Sequence, residues 1–99
     1  MSTRETVHPK TVAAGAARLD GDEPGWADRV EPLTLDMGHC TYCVLGQLYQ
    51  RFDDGLDALG LDGARACALG FDVAVRSAES YGQLTQLWRA EIARRRARP

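Results

Sequence analysis

The sequence predicts an all-α protein, a compact small bundle of about four or five helices, and three observations carry that reading. Apolar residues recur at three- and four-residue spacing through Thr41 to Phe52 and again from Ser80 to Arg95, the stripe expected of helices packed on a core. Only one short run alternates with period two, and it has no second strand to pair with. With 99 residues, 44% of them apolar and 26% charged, the chain has the length and composition of one folded domain rather than a disordered one.

Taken in order, Met1 to Pro9 is polar and reads as a flexible N-terminal arm, with residues 10–99 forming a single helical domain. Thr11 to Leu19 is alanine-rich, and Val12, Ala16 and Leu19 make one apolar stripe. The breakers from Asp20 to Gly25 form a loop that leads into a short helical turn at Trp26 to Val30, whose two end residues point inward together. Leu33, Leu35 and Met37 then alternate with Thr34 and Asp36, giving a short extended segment near 33–37 laid across the core.

Val44, Leu45, Leu48, Tyr49 and Phe52 share the wide apolar face of a central helix, and Gly46 within it suits the close approach of another helix. Asp53-Asp54-Gly55 ends or bends that helix, and Leu56, Leu59 and Leu61 continue the apolar supply in a short second one. Asp62 is placed to cap a helix over Gly63 to Leu69, which Gly70 stops. Phe71 and Val73 anchor the next connection. Ser80 and Gln83 form a capping-box pattern ahead of Leu84, Leu87, Trp88 and Ile92, and Arg94, Arg95 and Arg96 suit the negative end of that last helix. Trp26, Tyr42, Tyr49 and Trp88 are expected as core aromatics, any exposed one being a candidate interface hot spot.

No run approaches the roughly 18 apolar residues of a membrane span, and the first ten residues lack the apolar stretch of a signal peptide, so a cytoplasmic location is expected. Three cysteines cannot all pair within one chain, which suits a reducing compartment. The formal charge of -2 is uneven. Ten acids between Asp20 and Asp62, among them Asp53, Asp54 and Asp57, face only Arg29 and Arg51, whereas the end of the chain carries Arg89, Arg94, Arg95, Arg96 and Arg98 against Glu91. Such polarity suits docking to a partner.

The one cluster that could carry chemistry is His39-Cys40-Thr41-Tyr42-Cys43. Two thiols separated by two residues are half of a zinc signature, which Cys67 and His39, or His8, would complete. The same pair could be a redox dithiol, with a thiol at a helix start having its pKa lowered. A third reading makes Cys43 and Cys67 buried hydrophobes and leaves Cys40 on the surface. No cofactor is expected beyond the zinc that this spacing admits. Neither a phosphate-binding glycine loop nor a convergent nucleophile, base and oxyanion site is legible, so catalysis is the weaker expectation.

The segments Trp26-Ala27-Asp28-Arg29-Val30, Cys43-Val44-Leu45-Gly46-Gln47-Leu48-Tyr49 and Trp88-Arg89-Ala90-Glu91-Ile92-Ala93-Arg94-Arg95-Arg96 resemble a group of short proteins of actinobacteria and their phages, from about Ala14 onward. The resemblance implies a small free-standing protein, phage- or prophage-encoded, and no catalytic residue. The leading expectation is therefore a non-enzymatic binding or regulatory protein that contacts another protein through Arg89, Arg94, Arg95, Arg96, Asp53, Asp54 and Asp57. The alternatives are a zinc-stabilised domain and a nucleic-acid binder led by the basic last helix. Self-association into a homo-oligomer is compatible with each.

Overall fold

The computed structural model describes residues 7–97. Among them the chain is all-α, with six helices and no strand: α1 (Pro9–Asp22), α2 (Trp26–Arg29), α3 (Val44–Tyr49), α4 (Phe52–Leu59), α5 (Gly63–Ala68) and α6 (Ala78–Arg96). Each corresponds to a helical segment read from the sequence, the short turn at α2 included, and the boundary between α3 and α4 lies at Gln50-Arg51, ahead of the expected Asp53-Asp54-Gly55. No described helix is long and apolar enough to cross a membrane.

Helix α1 starts earlier and ends later than its alanine-rich centre. Pro9 occupies the first turn, where a missing amide hydrogen costs nothing, and an Arg18–Asp22 ion pair at 3.0 Å spans its last turn. Its stripe is Val12, Gly15, Ala16 and Leu19, all buried. Val7 is also part of the core, so the expected arm does not extend to residue 9; residues 1–6 lie outside the described region.

The continuous apolar face from Val44 to Phe52 does not make one helix. Gln50 takes a positive φ of 82°, Arg51 is extended, and the Phe52 amide donates to the Cys40 carbonyl at 2.8 Å. The chain thus turns between α3 and α4, and the α4 backbone at Gly55 lies directly against Leu45 and Tyr49 of α3. Asp53 and Asp54 begin α4 instead of ending its predecessor, where carboxylates complement the positive end of the helix. Gly46 does serve close packing, but against the backbone of Cys40 and Thr41 rather than another helix.

Asp62 caps α5 by accepting from the Arg65 amide at 2.8 Å, and Gly70 follows with φ 76°. Helix α6 begins one turn before the expected capping box: Ser77 accepts from the Ser80 amide at 3.0 Å, and Ser80 is buried inside the helix. Leu84, Trp88 and Ile92 face inward as their spacing requires. At the centre, Trp88 meets Trp26 edge-on with ring centres 5.7 Å apart, stacks on Phe71 at 5.4 Å, and donates its indole N–H to the Gly70 carbonyl at 2.7 Å. That bond satisfies the only polar atom of a fully buried side chain.

The segment near 33–37 is a series of turns. Leu35 and Met37 are buried as the period-two pattern predicts, whereas Leu33 is 86% exposed. Arg89 fastens the segment from α6, donating to the carbonyls of Pro32 at 2.9 Å and Leu35 at 3.4 Å, and Thr85 accepts from the Met37 amide.

Candidate functional site

The cysteine cluster occupies a turn closed by a bond from the Cys43 amide to the His39 carbonyl at 3.0 Å. Cys40 is exposed and Cys43 buried. The Cys43 sulfur caps α3, accepting from the Gly46 amide at 3.2 Å, and it lies 3.8 Å from the Cys40 carbonyl, toward which its S–H points. Burial pushes this thiol up from its ordinary pKa, which the hydrogen bond from Gly46 only partly offsets. The expected lowering at a helix start is therefore reversed, because a six-residue helix offers little dipole and the Cys43 side chain is buried.

His39 Nδ1 accepts from the Thr41 amide at 3.1 Å, its ring rests 4.6 Å from that of Tyr42, and the Cys40 sulfur lies 3.9 Å from the Thr41 hydroxyl. His39 and Cys40 thus both engage Thr41, one through its backbone amide and the other through its hydroxyl. Cys67 is half-buried beside a separate depression lined by Val7, His8 and Thr11, and burial raises its pKa. The four side chains expected as zinc ligands are distributed in this way, and among the described residues no three of His, Cys, Asp and Glu are grouped to hold a metal ion.

The basic end of α6 is sewn into the fold. Arg95 grips Asp20 with two donors, at 3.0 and 2.9 Å, pairs with buried Glu91, and lies over the Trp26 ring. Asp20 is the main reason its pKa is raised. Arg94 pairs with Glu91 at 2.8 Å, and Arg96 donates to the carbonyls of Ala27 at 3.0 Å and Val30 at 2.8 Å. Together with Arg89, all four arginines expected to meet a partner hold the chain's own backbone or carboxylates. Asp53, Asp54 and Asp57 are the reverse: exposed on α4, without an ion pair among the described residues.

The structure brings forward residues that the sequence reading placed in the core or passed over. Tyr42 is 49% exposed, on the same side of the molecule as Thr34, around a shallow depression of about 410 Å³ that Gly46, Gln47 and Gln50 also line. Leu33 adjoins Thr34. Gln47 is the brace of this surface: its carbonyl oxygen accepts from the Glu31 amide at 2.6 Å, and its amide group donates to the carbonyls of Glu31 at 3.2 Å and Tyr42 at 3.1 Å. An amide side chain amid the apolar residues of α3 was the available signal. In comparisons with protein-family models, curated proteins and solved structures, nothing matches this chain.

Proposed function

We propose that this chain is a small binding module that docks a partner protein in the cytoplasm through the surface around Leu33 and Tyr42. The observation that supports it is exposed Tyr42 on a rigid backing, at a depression also lined by Thr34, the chain neighbour of exposed Leu33: Gln47 ties the Glu31 and Tyr42 backbones together, so little freedom remains to be lost on binding. Tyrosine is among the residue types enriched at the energetic centre of interfaces. Gln50 borders the depression, and α4, whose Asp53, Asp54 and Asp57 have no ion pair among the described residues, starts two residues later, which favours a partner with an apolar contact edged by Lys or Arg. The internal engagement of Arg89, Arg95 and Arg96 favours this reading over nucleic-acid binding.

The test is comparative capture from an actinobacterial lysate, the source that the sequence resemblance suggests. A partner retained by the wild type should be lost by the Leu33→Ser/Tyr42→Ser double variant and weakened by Asp53→Asn/Asp57→Asn. Identical capture by the wild type and the double variant, or no specific capture, would overturn the proposal. Sedimentation of the chain alone identifies the case in which the partner is a second copy.

A further inference from the structure

We infer that Cys40 and Cys43 are a reversible disulfide-forming pair, in which exposed Cys40 reacts first with a low-molecular-weight disulfide and buried Cys43 resolves the product. Three geometric facts carry this, and none depends on the docking surface. Both residues border one cavity of about 150 Å³, open to solvent and walled by Met37, Phe52 and Phe71. The Cys43 amide bonds the His39 carbonyl, which folds residues 39–43 into one helix-like turn and sets the two cysteines three apart on the same side of it. The Cys43 sulfur lies 3.8 Å from the backbone carbonyl of Cys40. Cys67 borders the other depression and is not placed to compete.

Residues three apart in a helical turn have Cβ atoms about 5–6 Å apart, and a disulfide needs about 3.5–4.5 Å. Closing the bond therefore tightens the turn by about 1–2 Å, a shift that the bonds from Phe52 to the Cys40 carbonyl and from Gln47 to the Tyr42 carbonyl have to follow. The chemistry is two thiol–disulfide exchanges. The Cys40 thiolate attacks one sulfur of R–S–S–R, forming Cys40–S–S–R and releasing RS⁻, which takes up the proton that Cys40 lost. Cys43 then gives its proton to solvent and attacks the Cys40 sulfur, forming the Cys40–Cys43 bond and expelling a second RS⁻, which is protonated. Two protein thiols are oxidised and one small disulfide is reduced to two thiols. The order follows from access: Cys40 meets solvent, and Cys43 is 2% exposed with its thiol held neutral by burial.

The experiment treats the reduced full chain with oxidised glutathione, blocks remaining thiols with an alkylating agent, and reads intact mass and peptide maps. The wild type should keep one alkylated cysteine, Cys67, and carry a Cys40–Cys43 bond with no retained glutathione. Cys43→Ser, whose hydroxyl can still cap α3, should retain one glutathione on Cys40. Cys40→Ser should form no bond and leave Cys43 unmodified. Stable glutathionylation of Cys40 in the wild type, a bond involving Cys67, a disulfide-linked dimer or no reaction would each overturn the inference.

Discussion

Two glycines inside helices make opposed predictions from the same substitution. Alanine is favoured over glycine in a helix interior by about 0.5–1 kcal/mol, so Gly15→Ala in α1 and Gly82→Ala in α6 gain equally from the backbone. Their surroundings differ. At Gly82 an added methyl meets nothing within 4 Å, and the variant should melt about 2–8 °C higher, at about 4–8 °C per kcal/mol for a domain of this size. At Gly15 the methyl would fall on the Leu69 carbonyl and come within 3.1 Å of Trp88 Cζ2. Neither neighbour can yield cheaply: one is backbone just after α5, and the other is fully buried and bonded to the Gly70 carbonyl. Overpacking costs about 1–3 kcal/mol, and the upper end applies here. The net loss is about 2 kcal/mol, or about 8–16 °C in Tm. Thermal unfolding followed by far-ultraviolet circular dichroism measures both variants. A Gly15→Ala protein that melts at or above the wild type would refute the close approach of α1 to the end of α5 and to Trp88.

Alkaline pH should weaken the fold through Tyr49. Its hydroxyl donates to Glu23 at 2.9 Å, and burial followed by the nearby carboxylate raises its pKa to about 12, above the roughly 10 of an unfolded chain. A folded pKa above the unfolded one means a contribution fully present below pH ~10 and lost as pH rises toward ~12. The melting temperature of Tyr49→Phe should therefore fall less steeply across that window than that of the wild type, and equal slopes would contradict the assignment. Arg89→Ala should destabilise the protein by about 1.5 kcal/mol, the low end for hydrogen bonds from a charged donor because one of the two is long. Hydrogen exchange at Leu35 and Met37 should quicken by about tenfold, and unchanged exchange there would show that α6 does not fasten the segment.

Helices α1 and α6 were legible from their apolar stripes, although Pro9 was read into the arm and the α6 cap is Ser77 rather than Ser80. The break between α3 and α4 was expected at Asp53-Asp54-Gly55 and falls three residues earlier, since nothing at Gln50-Arg51 announces it: the positive φ falls on glutamine, and the apolar face runs on through Phe52. What enforces the break is tertiary, the Cys40 carbonyl taking the Phe52 amide and Gly55 seating on Leu45. Leu33 obeyed the period-two pattern in sequence yet faces outward, because turns replace the strand that alternation assumes. The cysteine pair was visible by spacing, but whether Cys67 joined it depended on which side of Asp72 the α5 helix placed that thiol. The basic run at the end of α6 was legible as charge but not as internal bonding, which Arg94 and Arg96 make while remaining exposed. An arginine reads the same in sequence whether it meets solvent or a carbonyl from some sixty residues away, as Arg96 does with Val30.

That last contact orders events during synthesis. Ala27, Val30, Pro32 and Leu35 offer carbonyls whose guanidinium partners, Arg89 and Arg96, are made more than fifty residues later. Trp26 likewise waits for Trp88 and Arg95. The first third of the chain can form the turns of α1 while it is being translated and meets Tyr49, Leu59 and Leu69 as they follow, but Trp26 and these carbonyls keep no lasting cover until α6 emerges. A ribosome paused before Arg89 would hold a chain with Trp26 and Leu35 uncovered, a form open to chaperones and proteases that the finished molecule excludes.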